Sequence, residues 1–299
     1  MKSSITLAAF FMLLLIAALM GANHVAARFA FNDSVNVVTA VFFRSIVTAV
    51  IICILLLRRG ITMKISKEHR VTFLTIGTLI AIQSYCIYSS VSLIPVVLAL
   101  LAFNTHPLWT ALWSRMLYRR KAEPLVLKSM PIILFGLALA LDVFGTASGL
   151  GAAAQWRSIG EGVFYALLGA ASFGLALVLT EHKTSNINSL VRTAYTLAIV
   201  TALATLVGFF QGGLTLPIST NGWLGLVGLT ILYGTGFTMM FSLLPRLGVV
   251  GNSAIMNVEP IFALVFAWIL LDQKISLTQI VGALIVVGAV IAIGLRKKK

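Results

Sequence analysis

Residues 104–107 read Asn104-Thr105-His106-Pro107, and residues 257–260 read Asn257-Val258-Glu259-Pro260. The second stretch lies 153 residues after the first, and the offset holds far outside it. Pro95 falls on Gly248, Val96 and Val97 on Val249 and Val250, Tyr88 on Phe241, Gly21 on Gly174, and Ala17 and Ala18 on Ala170 and Ala171. Gly, Ala and Val are common here, so one coincidence would mean little. Several at one offset, in corresponding apolar segments, mean an internal repeat.

The segments that carry the repeat are hydrophobic. Of 299 residues 60% are hydrophobic and 10% charged, against roughly 25% charged in a soluble domain. A transmembrane helix needs roughly 20 apolar residues. Ten stretches qualify, near 5–27, 36–57, 71–90, 94–117, 126–142, 160–180, 191–210, 222–244, 249–271 and 277–295. They leave no room for a soluble catalytic domain. The longest connection, 143–159, is rich in Gly, Ala and Ser and reads as a linker. The expected fold is therefore an all-α polytopic membrane protein: a five-helix repeat in 1–142, the linker, and a second five-helix repeat in 160–299. Five is odd, so the second repeat enters the membrane from the opposite face. Inverted repeats of this kind are a recurrent design of secondary transporters, with a central cavity near the midplane between the halves. The small residues at 22–27 after the first apolar run resemble a signal-peptide site, but the repeat argues that this segment is retained.

The net charge of +14 suits either nucleic acid or a membrane topology, and placement decides. With the amino terminus cytoplasmic, Lys2, Arg58, Arg59, Lys64, Lys67, Arg70, Arg115, Arg119, Arg120, Lys121, Lys128, Lys183, Arg192, Arg246 and the terminal run Arg296 to Lys299 all fall on the inside. Only Arg28, Arg157 and Lys274 fall outside, and Arg44 lies within the second span. This is the positive-inside pattern with both termini cytoplasmic, and it removes nucleic acid as a partner.

Each half ends in a Pro-containing helix, a short charged turn and a glycine-bearing last helix. In the second half the pattern is Asn257-Val258-Glu259-Pro260, then Asp272-Gln273-Lys274, then Gln279 and Gly282. This resembles the EamA type of the drug/metabolite transporter superfamily, over essentially the whole chain. Among its members the chain looks most like a bacterial inner-membrane exporter of aromatic and other amino acids. The resemblance implies a multi-pass protein of the bacterial inner membrane that exports neutral amino acids and related metabolites by alternating access. It implies a small-molecule substrate and lipid around it, with no cofactor, no metal and no oligomeric partner required. Unrelated drugs or metabolites are the alternative cargo.

Ionisable groups inside a bilayer each call for an explanation. Glu259 either lines the cavity, meeting an ammonium group or taking up a proton, or pairs with His106 or Arg44 to hold the halves in register. His106, its counterpart in the repeat, either serves proton or substrate, or bonds the carbonyls that Pro107 leaves unpaired. Arg44 either snorkels to the interface or grips a substrate carboxylate, and with Glu259 it would complement an amino acid. Gln83, Tyr85 and Tyr88 stand in the outer part of the third span, as cavity lining or as interfacial anchors. Asn104 and Asn257 point about 200° away from His106 and Glu259 on a continuous helix, and bonding to neighbouring helices is their default. Asn23 and His24 follow Gly21 as further cavity candidates. Pro95, Pro107, Gly248 and Pro260 are candidate hinges.

The rivals are a membrane-embedded enzyme and a channel. No His-Glu-x-x-His, Gly-x-Ser-x-Gly or P-loop is present. Paired halves favour a carrier over a pore ring, and no catalytic residue is assigned.

Overall fold

The computed structural model describes residues 7–119, 124–142, 144, 145, 149, 151–243, 258–273 and 276–295, and among them the chain forms eleven helices. They are α1 (Leu7–Asn32), α2 (Val37–Arg58), α3 (Lys67–Leu93), α4 (Val96–Phe103), α5 (His106–Tyr118), α6 (Pro124–Ala140), α7 (Ala152–Lys183), α8 (Ser189–Phe210), α9 (Thr220–Leu243), α10 (Glu259–Leu271) and α11 (Leu277–Leu295). Seven segments are long and apolar enough to cross a membrane, with α4 and α5 together making one of them; shorter apolar helices lie at 128–140, 259–271 and 277–289. Large apolar side chains stand on the outside, including Phe135, Phe164, Phe209, Phe210 and Trp268. In water such a surface would aggregate; in lipid it is the face the solvent selects.

Local chemistry explains where the helices start. The Asn36 side chain accepts the Thr39 N–H at 2.8 Å to cap α2, and Asn188 caps α8 through the Leu190 N–H at 2.9 Å. Before α11, Ser276 and Gln279 form a capping box, each side chain accepting the other's backbone N–H at 3.2 and 3.0 Å. The expected fourth span, 94–117, is two helices. Proline lacks an N–H and its ring meets the carbonyl four residues back, so the chain turns at Asn104 and Thr105 and restarts at His106. Pro107 and Pro260 thus lie in the first turns of α5 and α10, and Pro95 caps the start of α4. These prolines begin helices, where the missing N–H costs nothing. Helix α7 begins at Ala152, so the end of 143–159 is helical.

The 153-residue offset is visible in three dimensions. Helices α5 and α10 are both 13 residues long, start at equivalent positions and end on equivalent left-handed caps, Arg119 (φ 53°) and Asp272 (φ 50°). The cap N–H groups bond equivalent carbonyls, Ser114 and Ala267. Contacts between the halves also come in matched pairs. Helix α1 packs on α9 as α7 does on α3, α2 on α9 as α8 does on α3, and α1 on α10 as α7 does on α5; α2–α8 and α6–α11 are their own counterparts. Small residues permit the closest of these approaches. A Cβ on Gly21 would stand 2.9 Å from the Glu259 carbonyl oxygen and 3.0 Å from the Ala263 nitrogen. A Cβ on Gly174 would stand 2.9 Å from the nitrogen of Thr110, the counterpart of Ala263.

At one end of the bundle the α1–α2 turn is tied to the segment between α8 and α9. Asp33 Oδ2 accepts the N–H groups of Ile218 at 2.7 Å and Ser219 at 2.8 Å, just before α9 begins. The Ser219 N–H, helped by the Ser219 hydroxyl and the Ile218 N–H, holds the Asp33 carboxyl below the usual carboxylate range against a smaller desolvation effect. A carboxyl whose pKa is lowered on folding adds stability above its ordinary pKa and loses it as pH falls through the lowered value. Thermal melts of the detergent-solubilised protein should therefore drop on the acid side of the carboxylate range. Asp33→Asn should melt lower at neutral pH and lose that part of the acid dependence; an unchanged pH profile would count against the tie.

Candidate functional site

His24 of α1, Arg44 of α2, Tyr88 of α3 and Glu259 of α10 converge. Arg44, on α2, is 4% exposed and its guanidinium carbon lies 4.7 Å from the centre of the Tyr88 ring and 4.1 Å from that of Tyr233. One Nη donates to the Ser84 hydroxyl, while Nε has no hydrogen-bond partner among the described residues. Among the described residues no carboxylate comes within ion-pair distance of Arg44. Two ring faces offset its charge, each contact worth about 2 kcal/mol when desolvated. Arg44 does not snorkel; it is held inside the bundle between aromatic rings from α3 and α9.

Tyr88 links this cation to an acid. Its hydroxyl donates to Asn23 Oδ1 at 2.7 Å, and Asn23 Nδ2 donates to the Met20 carbonyl at 3.2 Å. The His24 ring lies 5.5 Å from the Tyr88 ring, centre to centre. His24 Nε2 then faces Glu259 Oε1 at 3.4 Å, with side-chain exposures of 8% and 25%. The partner of Glu259 is thus His24, not His106 or Arg44. The reason is packing: α10 lies on α1, and Gly21 lets the backbone at Glu259 approach to within a turn of His24. Asn23 and Tyr88 have no exposure, so the cluster is closed everywhere except at its Glu259 edge.

His106 stands apart from this set. It packs edge-on against Phe173 of α7 at 5.1 Å and tilts toward Phe103 at 5.7 Å, with Nδ1 lacking a hydrogen-bond partner. The carbonyls near the α4–α5 break are served instead by Asn104 Nδ2, which donates to Leu100 at 2.9 Å, and Thr105 Oγ1, which donates to Ala102 at 2.8 Å. Asn104 therefore closes its own helix. The break also removes the continuous helix on which its angle to His106 was reckoned.

Tyr85 and Tyr88 do not share an environment. Tyr88 is in the cluster, whereas Tyr85 lines an apolar crevice of about 340 Å³ between α2, α3 and α8, beside Val41, Cys86 and Val200. Gln83 accepts from the Ser84 hydroxyl at 3.4 Å, one residue from the Arg44 contact. Asn257 and Gly248 lie outside the described residues. Tyr233 and Phe173 escaped the sequence reading. A lone tyrosine in an apolar helix such as α9 was the only available sign of Tyr233.

The chemistry ignores the symmetry of the helices. The counterparts of Asn23, His24, Arg44, Ser84 and Tyr88 at the 153-residue offset are Ala176, Leu177, Leu197, Phe237 and Phe241. One side of the two-fold relation is polar and the other apolar, with His106 the one ionisable counterpart in the set.

Comparison with known proteins agrees with this architecture. No curated protein matches the chain. A solved crystal structure of a protein superposes with a TM-score of 0.62 at 18% identity, covering 97% of this chain and 99% of the other, which shows a common fold alone. The EamA-like transporter family matches twice, over residues 7–141 and 160–295, so the same family unit recurs at the 153-residue spacing. The chain is a multi-pass membrane protein that belongs to the EamA-like transporter family, in the drug/metabolite transporter superfamily.

Proposed function

We infer that this protein exports neutral amino acids, aromatic ones among them, across a bacterial inner membrane by alternating access. The fold we assign it has ten spans, two inverted five-helix repeats in 1–142 and 160–299, and both termini in the cytoplasm. The observation that carries the substrate reading is Arg44, a buried guanidinium clamped between Tyr88 and Tyr233 without a carboxylate partner among the described residues. It offers a planar fork to a substrate carboxylate. Glu259, at the partly exposed edge of the same cluster, offers a counter-charge to the substrate ammonium. A cation and an anion joined through Tyr88 and His24 suit a zwitterion.

In this mechanism the substrate carboxylate takes the free Nε side of Arg44 and the ammonium displaces His24 from Glu259. Because Glu259 belongs to the second half and His24 to the first, that displacement loosens a tie between the halves. They then rock about the matched helix pairs and present the site to the other face.

The test is uptake of labelled amino acids by liposomes containing the purified protein. Neutral zwitterions should enter faster than amines lacking the carboxyl group and acids lacking the amino group. Glu259→Gln should lower uptake about tenfold or more, since a hydrogen bond to a charged group contributes about 1.5 to 3 kcal/mol. Equal rates for all three substrate classes would remove the amino-acid reading and leave other metabolites of the superfamily.

A further inference from the structure

The α3–α8 contact departs from its counterpart in the repeat, α2–α9, and the departure leaves a groove in the side of the bundle. The apolar crevice of about 340 Å³ beside Tyr85 has a floor of Val38 and Val41 from α2, Cys86 from α3, and Val200 and Ala204 from α8, all buried. Its rim is not buried: Ile82 is 39% and Val207 38% exposed. The crevice therefore opens sideways and is continuous with the surface that faces lipid.

The 153-residue offset identifies the side chain that closes the other seam. Ala81 of α3 and Ala204 of α8, which both line the crevice, correspond to Gly234 of α9 and Ile51 of α2. There Ile51 lies over Gly234: a Cβ on that glycine would meet Ile51 Cδ1 at 3.6 Å, an ordinary van der Waals contact. At α3–α8 the residue in the place of Ile51 is alanine, which ends at Cβ. A branched hydrocarbon thus fills one copy of the contact, and the protein supplies none for the other.

Water does not suit this space. A buried water needs about two to four polar partners, and the lining brings only the Thr78 and Tyr85 hydroxyls and the Cys86 thiol. An unfilled crevice forfeits the dispersion contacts of the atoms around it. Lipid tails are as apolar as leucine, so a tail gains nothing from a change of polarity; it gains those contacts. The dimensions also agree. The lining runs from Thr78 to Cys86 on α3, about 12 Å of helix, against about 15 Å for half of the hydrocarbon core. It begins at Val38, in the first turn of α2, at the end of the bundle where Asp33 holds the segment before α9.

We propose that this crevice seats one acyl chain of a bilayer phospholipid, from the leaflet at the Asp33 end. The chain lies between α3 and the α2–α8 pair and does for this seam what Ile51 does for the other. Tyr85 at the crevice is one turn from Tyr88, whose ring faces Arg44. The bound tail thus supports the helix that carries one wall of the Arg44 site.

The experiment uses the full chain in vesicles of phosphatidylethanolamine and phosphatidylglycerol, with a trace of phosphatidylglycerol whose palmitoyl chain ends in a diazirine. After illumination, adducts mapped by mass spectrometry should concentrate on residues 81–86 and 200–207. They should be several-fold denser there than at Phe135 and Trp268, which also face lipid. Ala204→Ile, which installs the residue of the other seam, should lower the crevice adducts several-fold and leave those at Phe135 and Trp268 unchanged. In detergent, added phosphatidylglycerol should raise the melting temperature of wild type more than that of Ala204→Ile, since what binds only the native state stabilises it. Excess L-phenylalanine should leave the labelling intact. Crevice adducts in wild type no denser than at Phe135 and Trp268 would mean ordinary lipid contact and overturn the seat, whatever the variant does. Undiminished crevice labelling in a folded Ala204→Ile protein, or an equal gain in melting temperature, overturns it as well. Displacement of the label by L-phenylalanine gives the crevice to substrate and overturns the lipid assignment. Amino-acid uptake by a protein that fails these tests leaves the functional reading standing.

Discussion

Replacing Arg44 with glutamine should raise the KM for a zwitterionic amino acid by roughly thirty-fold or more, because truncating one partner of a buried charge pair costs about 2 kcal/mol at least. The variant should also lose discrimination. Wild type is expected to prefer an amino acid over the amine that lacks its carboxyl group, whereas Arg44→Gln should carry both with similar, poor affinity. Arg44→Lys should fall between them: it keeps the charge but loses the planar group that stacks between Tyr88 and Tyr233. Transport assays with matched amino acid and amine, alongside melting curves, separate this from loss of fold. A glutamine variant that folds, carries zwitterions normally and still rejects the amine would remove Arg44 from the substrate site.

The second large effect should come from a methyl group. Gly21→Ala places a carbon 2.9 Å from the Glu259 carbonyl oxygen and 3.0 Å from the Ala263 nitrogen. Both are backbone atoms, so α10 itself must move. Overpacking of this kind costs about 1 to 3 kcal/mol. Gly174→Ala presses on the Thr110 nitrogen and the Trp109 Cβ in the same way, and it should destabilise to a similar degree. The two should differ in function: the first shifts Glu259 away from His24, the second shifts α5 on the apolar side of the symmetry. Equal melting losses, with a much larger transport loss for Gly21→Ala, are the expected result. A Gly21→Ala protein that melts and transports like wild type would show that α1 and α10 are not packed this closely.

The legible parts of this protein are those encoded by spacing. The motif repeated at 104–107 and 257–260 marks the starts of α5 and α10 to the residue, because proline dictates local geometry. Arg44, Glu259 and Tyr88 could be singled out because charge or hydroxyl in an apolar span is costly wherever it sits. Their partners were not legible. His24 and Glu259 lie in different halves, and periodicity relates residues only along one helix. The same limit hid Tyr233, and it misdirected Asn104, whose role follows from a turn that breaks the fourth span. Tyr85 and Tyr88 are three residues apart and so share one face of α3, yet that face straddles a crevice and a core.

The apolar counterparts of the polar cluster have a consequence for energetics. In a carrier with inverted halves, exchanging their conformations interconverts its inward-facing and outward-facing forms, so two identical halves would make those forms degenerate. On the inverted architecture proposed above, Leu177, Leu197 and Ala176 stand where His24, Arg44 and Asn23 have their equivalents, and the degeneracy is lifted. A resting bias of 1.4 kcal/mol already populates one form about tenfold over the other. Drift of one repeat away from its twin is thus enough to give the two faces of the carrier different apparent affinities and maximal rates, while the end point of transport stays set by the gradients alone.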